Sequence, residues 1–383
     1  MKSSTTVMLR FITGLWMFLH VAHSEILPSF HLDYVSWEAS EIAVVDEGEV
    51  IDGRLTVTES LKGDLKQGEA LVIPKLAKFQ EETWRTTGRS LFHGMVKPWR
   101  NSDAEPIVMT GRSMLIFLKR PPEDMVAEGL KHNDKITVDG QPGHIWIPAG
   151  FGGMETSTVW LENEKAYSFV QEINPGASML MELNQNEKEL REQITRLVAA
   201  QQHLDRIETM KDKAAAATQA AAYLHEDVYP LRERAFAVLG GCGTDALTVL
   251  QSILTDPTQL DAHDDAISAL VLIEEDEVHE LLIGMLHEDM KHWQKVGPTL
   301  EKGWWNGAGL EWEDVTRHRD EYSRTLALIV ALQTRPVPKA RESLDRFRQF
   351  WRSMAQLDDR HGLDQMSHAC DRAIDIIDQA AEQ

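Results

Sequence analysis

The same helical plan occurs twice in the second half of the chain, offset by about 31 residues, a period in the range of helical-repeat proteins. Leu231 to Leu239 (LRERAFAVL) reads as a helix stopped by Gly240 and Gly241, because glycine suits the left-handed turn after a helix. Thr244 caps a second helix, Asp245 to Leu254, which ends at Asp256-Pro257. In the next copy Ala266-Ile267-Ser268-Ala269-Leu270 takes the place of Ala235-Phe236-Ala237-Val238-Leu239. Leu281 to Leu286 repeats Val249 to Leu254. Each pair leaves an apolar face that it cannot bury alone, and stacking neighbours buries it. The expectation is an α-solenoid, with a plain helical bundle as the alternative. A third first helix, Tyr322 to Leu332, follows an insertion; its partner spans Lys339 to Ser353, and a charged helix from Asp364 to Ala380 caps the array.

Ahead of this region the pattern is different. From Asp33 to about Pro175, short β-branched and apolar runs alternate with Gly and Pro, which reads as an all-β barrel or sandwich. Ser113 to Leu118 (SMLIFL) is apolar throughout, as in a strand buried on both faces. Leu61 to Gly68 is a polar turn between strands. The stretch Lys75 to Pro106 mixes six basic residues with Trp84, Phe92 and Trp99, and a loop this long is a functional segment or an excursion packed on the barrel. Composition changes near Ile173-Asn174-Pro175-Gly176, after which Leu190, Ile194, Leu197, Leu204 and Ile207 recur at the helical period.

The first residues read as a secretory signal. Lys2 and Arg10 precede an apolar run, Phe11 to Val21, and Ala22 and Ser24 stand where a signal peptidase cuts. The run is short for a membrane anchor, which takes about 20 apolar residues. The expected organisation is therefore a signal peptide at 1–24, a β-rich domain at 25–178, and a helical-repeat domain at 179–383 with a Trp-rich insertion at 293–316. Export places the protein in the periplasm or outside the cell, with no membrane span once the signal is removed.

The formal charge is −22. Without Lys2 and Arg10 it becomes about −24, a balance that argues against nucleic acid or anionic lipid as partner. The two cysteines, Cys242 and Cys370, read as separate, partly buried thiols.

Between Tyr229 and Glu288 the chain resembles a HEAT-type repeat protein, on the residues Leu224 to Val228, Leu231 to Ala235 and the Asp256-Pro257 turn. The Trp- and Gly-containing segment after Met290 departs from that family's short inter-repeat turn. The β-rich half resembles netrin-like, OB-barrel modules, on Ala43-Val44-Val45, the Leu61 to Leu65 turn with Gly68, and Gly111 to Leu118. The metalloprotease inhibitors of that superfamily use an N-terminal cysteine, absent here, so their chemistry does not carry over. Together the resemblances imply a bacterial envelope protein with no activity to inherit.

Tests for chemistry point away from catalysis. His287 and His292 share residue types with the zinc-protease helix, but stand five apart where that motif needs four, which turns one ring away. His361 and His368 have no carboxylate at a confirming spacing, so no metal or other cofactor is expected. Gly150-Phe151-Gly152-Gly153 lacks the Lys-Ser/Thr of a phosphate loop, and there is no Gly-x-Ser-x-Gly elbow. The sharper candidate is the tryptophan cluster Trp293, Trp304, Trp305 and Trp312, with Gly303, Gly307 and Gly309 between. Tryptophan is enriched at binding hot spots, so the cluster is expected either to bind a partner or to fill an irregular repeat. The functional expectation is an exported, non-catalytic interaction protein. The alternatives are a carbohydrate-binding module built on the tryptophans, and an envelope hydrolase or lyase with its site between the domains.

Overall fold

In a computed structural model of the chain, the described residues are 27–28, 30–47, 54–73, 113–120, 137–138, 141–142, 146–150, 154, 156–171, 178–301, 303–354 and 363–381. The expected signal segment 1–24 and the basic stretch 75–106 lie outside the described residues, as do Gly111, Arg112, residues 151–153 and His361. The chain divides into two compact units, residues 1–199 and 200–383.

The first unit is an antiparallel sheet. Its strands are β1 (Leu27–Pro28), β2 (Glu41–Asp46), β3 (Arg54–Lys62), β4 (Ala70–Val72), β5 (Ser113–Lys119), β8 (Ile147–Pro148), β9 (Thr158–Glu162), β10 (Lys165–Gln171) and β11 (Ser178–Glu182). The short β6 (Thr137–Val138) and β7 (Gln141–Pro142) form a separate hairpin. The main order is β4-β3-β2-β5-β9-β10-β11, with β8 beside the end of β5 and β1 beside the end of β10. Two register shifts in the β2–β3 ladder, at Ile42/Ala43 and Val44/Val45, fit the local twist that bulges impose.

Successive side chains point to opposite faces of a strand, and here both faces are buried. Ala43, Val45, Met114, Ile116 and Leu118 join Leu55, Leu65, Trp146 and Trp160 on one face. Ile42, Val44, Leu115 and Phe117 face the other way. That second face is covered by α1 (Leu32–Glu38) and the first half of α2 (Glu187–Glu208), through Val35, Leu190, Ile194 and Val198. The apolar run Ser113 to Leu118 is thus a central strand buried on both sides, as its composition predicts.

The α2 helix starts at a capping box. Asn186 Oδ1 accepts from the Glu189 amide at 3.0 Å, and Glu189 Oε2 accepts from the Asn186 amide at 2.9 Å. The expected domain boundary at 178 consequently moves: β11 completes a hairpin with β10, and the first turns of α2 belong to the sheet's core.

The second unit is helical: the rest of α2, then α3 (Lys213–Ala221), α4 (Tyr229–Gly241), α5 (Leu247–Thr255), α6 (Leu260–Val271), α7 (Asp276–Val296), α8 (Trp312–Thr334), α9 (Arg341–Ser353) and α10 (Leu363–Ala381). Among these, α4 packs on α6, α6 on α8 and α8 on α10, while α5, α7 and α9 each pack on the helix that follows. The α4 helix runs through Gly240 and Gly241 rather than stopping there. Its ending is delayed to Cys242 and Gly243, the latter at φ +62°. Gly240 instead permits close approach, since a Cβ there would overlap the Leu272 side chain. No side-chain bond from Thr244 caps α5; a short 3-10 turn, Gly243–Ala246, leads into it.

The Asp256 turn is as expected and has a clear cause. Asp256 Oδ1 accepts from the Thr258 amide at 2.9 Å and its hydroxyl at 2.7 Å. Buried His263 on α6 donates from Nε2 to the Ile253 carbonyl at 2.9 Å, fixing α6 to the end of α5. No helix among the described residues is long and apolar enough to cross a membrane.

Candidate functional site

The expected insertion 293–316 takes in the ends of two helices. Trp293 lies on α7, which continues to Val296, and α8 begins at Trp312 rather than Tyr322. Only 297–311 connects them. Within this connector Gly303 (φ +84°) and Gly307 (φ +92°) bracket the tight turn Trp304–Asn306 in left-handed conformations that side chains disfavour. Glycine stands on either side of Trp304–Asn306 because both positions need positive φ.

The four tryptophans part company. Trp293 is fully buried and Trp304 is 3% exposed, so neither ring can meet a partner directly. Trp293 contacts Trp351 (ring centroids 5.2 Å), Tyr322 (6.3 Å) and Trp304 (6.4 Å), making an aromatic core between α7, α8 and α9. Trp305 is half-buried and meets Trp304 edge to face at 74°. Trp312, at the first turn of α8, is 64% exposed. Arg319 lies between these last two rings, 5.4 Å from the Trp305 centroid and 5.2 Å from that of Trp312. Its Nε donates to the Trp305 carbonyl at 3.1 Å. Seven residues separate Trp312 from Arg319, two helical turns, so both sit on one face of α8.

Beneath the rings lies a polar chain. Trp293 Nε1 donates to Thr325 Oγ1 at 2.9 Å, and Thr325 Oγ1 lies 2.7 Å from Asp289 Oδ2 and 2.9 Å from the Glu321 carbonyl. Arg324 pairs with Asp289, which is 2% exposed. Burial pushes the Asp289 carboxyl up, and its bonds to Arg324 and Thr325 only partly offset this.

At the edge of the same cluster three donor side chains converge. His292 Nε2 lies 3.0 Å from Glu321 Oε2, and His318 Nδ1 lies 2.8 Å from the same oxygen. All three candidate ligand atoms fall within 4.8 Å of one another. Burial raises the Glu321 carboxyl, but the two imidazole hydrogen bonds outweigh it and the net displacement is downward. His287 is elsewhere, its Nε2 2.5 Å from Ser343 Oγ on α9, so the five-residue spacing does send the two rings to different neighbours. Spacing along the chain does not reveal this trio, because one ligand comes from α7 and two from α8. The local signal was His318 and Glu321, three apart and therefore on one helix face.

The remaining candidates lie apart from this cluster in the sequence, and their surroundings differ. Cys242 and Cys370 are both free and buried, and burial pushes the Cys370 thiol up to about 12. His368 is exposed on α10. The Gly150 amide donates to Ser157 Oγ at 2.6 Å, and the rest of that glycine-rich segment lies outside the described residues. Comparison with known protein families, curated proteins and solved structures gives no match.

Proposed function

We propose that this chain is an exported, non-catalytic interaction protein, acting in the periplasm or outside the cell. On this reading the helices from α4 onward are a solenoid of HEAT-like pairs, the sheet is a barrel of OB or netrin-like type, and the partner is a protein. The observation that carries the proposal is Trp312: a large ring, 64% exposed, with the Arg319 guanidinium 5.2 Å from its centroid and 5.4 Å from that of Trp305. An exposed aromatic pre-positioned by its neighbours loses little freedom on binding, and Trp, Tyr and Arg are the residues that dominate protein interfaces. Helix pairing at the offset of about 31 residues supports the repeat reading.

The aromatic geometry gives less support to a sugar-binding platform, which wants coplanar exposed rings. Trp304 and Trp305 meet at 74°, and Trp304 is buried. A point substitution is the right probe, because deleting the connector would also remove core residue Trp304. The test is crosslinked capture of the secreted protein from its own envelope, comparing wild type with Trp312→Ala, with folding checked by circular dichroism. The expected result is a protein recovered at least ten-fold less by the variant. Equal recovery, or loss of all recovered protein to competing oligosaccharide, overturns the proposal.

A further inference from the structure

We propose that His292, His318 and Glu321 form a binding site for an exchangeable divalent transition-metal ion of the zinc class, linking α7 to α8 across the connector. The inference stands on the donor set and its spacing, whether or not Trp312 meets a partner.

Two imidazoles and a carboxylate are a zinc donor set, with Zn–N and Zn–O bonds of about 2.0–2.2 Å. A tetrahedron with such bonds separates its ligand atoms by about 3.3 Å. The observed separations from Glu321 Oε2 are 3.0 Å to His292 Nε2 and 2.8 Å to His318 Nδ1. An ion entering here therefore needs these two contacts to spread by a few tenths of an ångström, while the two imidazole nitrogens, within 4.8 Å of each other, settle at about the same separation. Without an ion, one carboxylate oxygen accepts from both rings, which fixes their tautomers: His292 carries its proton on Nε2 and His318 on Nδ1. A metal takes the lone pairs of those same ring nitrogens, and each neutral ring keeps its proton by shifting it to its other nitrogen, Nδ1 of His292 and Nε2 of His318.

The rings are held before any ion arrives. His318 packs at 6.3 Å from both Trp293 and Trp304, and His292 stands edge-on to Trp293 at 5.4 Å. The Glu321 carbonyl lies 2.9 Å from the Thr325 hydroxyl, within the Trp293–Asp289 chain. Pre-set ligands of this kind reduce the ordering that binding requires. Access is graded: side-chain exposure is 9% at His318, 15% at Glu321 and 33% at His292. The His292 side is the way in, and solvent there supplies the fourth ligand. Three protein ligands with one open position make an exchangeable site rather than a closed structural one.

The geometry also says what the ion does. One ligand comes from near the end of α7 and two from the start of α8, so the bound ion clamps both ends of 297–311, the segment that carries Trp304 and Trp305.

The test uses the tag-free protein, stripped with chelator and titrated with Zn²⁺ by calorimetry and Co²⁺ by visible absorption. The expected result is one ion per chain with micromolar or tighter affinity, tetrahedral-type Co²⁺ bands, and their loss on adding Zn²⁺. Glu321→Gln and His292→Ala should each weaken binding at least ten-fold and abolish the bands, while His287→Ala changes neither. His292 is the most exposed ligand, so its variant carries the test if Glu321→Gln misfolds. No uptake by the wild type overturns the proposal. So does unchanged binding in His292→Ala, or binding that His287→Ala removes.

Discussion

Trp293 donates its indole N–H to the hydroxyl of Thr325 across 2.9 Å of fully buried space between α7 and α8. The same hydroxyl lies 2.7 Å from Asp289, a carboxylate that burial disfavours and Arg324 sustains. Replacing Thr325 by the near-isosteric Val therefore leaves the buried indole donor unmet and Asp289 Oδ2 with only the 3.4 Å bond from Arg324 Nε. An unsatisfied buried group costs about 1–3 kcal/mol, so Thr325→Val should lose about 2–4 kcal/mol in denaturant unfolding. Adding Trp293→Phe removes the orphaned donor, and the double variant should lose less than the two single losses combined.

Asp264 on α6 gives a pH-dependent prediction. The residue keeps some surface, but its Oδ1 is out of reach of water and has no hydrogen-bond partner, and Oδ2 accepts from Ser323 at 2.6 Å. Burial pushes its carboxyl up to about 6 from 3.8, more than the Ser323 bond lowers it. A folded-state value above the unfolded one means that the folded chain binds more protons between about pH 4 and 6, so this group destabilises the fold as pH rises through that window. Two units correspond to about 3 kcal/mol at most, and the new amide's own unmet hydrogens reduce that. Asp264→Asn should raise stability by about 1–2 kcal/mol at pH 7.5, with the gain gone by pH 4. A gain independent of pH would show that desolvation of this carboxylate is not its source.

The turn that follows β3, Gly63 to Gly68, depends on Glu41. This carboxylate, 4% exposed, accepts from the amides of Asp64 at 2.8 Å and Leu65 at 3.2 Å, capping the turn from beneath. Gly63 is required there twice: its φ is +91°, and a Cβ would overlap the Glu41 carboxylate. Gly68 has φ +84° but open space around it. Left-handed strain costs about 1–3 kcal/mol for a residue with a side chain. Gly68→Ala should show that loss alone, and Gly63→Ala a distinctly larger one. Equal losses in urea unfolding would mean that the Glu41 cap yields freely.

The thiols make a simpler case. Cys242 and Cys370 are free and buried, and burial raises both. A thiol disfavouring its thiolate is a poor nucleophile. Ellman's reagent should find almost no reactive thiol in the native protein and two per chain after denaturation without reductant. Finding none after denaturation would reveal a disulfide instead.

What was legible followed from periodicity, and what was not came from contacts between distant segments. The doubly buried β5 could be read because apolarity without alternation needs cover on both faces. Helix α1 could not: it is a single short stretch whose N-cap residue, His31, makes no side-chain cap, and it forms because Val35 has the sheet to pack on. Gly240 illustrates the limit of a local rule. Glycine near a helix end suggests a stop, but here helix α4 runs on and the missing Cβ admits Leu272. The His292–His318–Glu321 trio was half visible, as two residues on one helix face. Its third member depends on how α7 meets α8, which no spacing along the chain encodes.

The tryptophan cluster makes the last prediction, because one composition signal covered two physical roles. Trp304 is buried against Trp293 and His318, and truncating a buried aromatic leaves a cavity costing about 3–5 kcal/mol. Trp312 keeps most of its ring in water and contributes chiefly its contact with Arg319, worth about 0.5–1 kcal/mol at an exposed site. Trp304→Ala should therefore lower the unfolding midpoint strongly while Trp312→Ala leaves it nearly unchanged. The order should reverse in the capture experiment once Trp304→Ala is compared under conditions where it remains folded. A large stability loss from Trp312→Ala would mark that ring as structural after all, and its exposure would no longer speak for a partner.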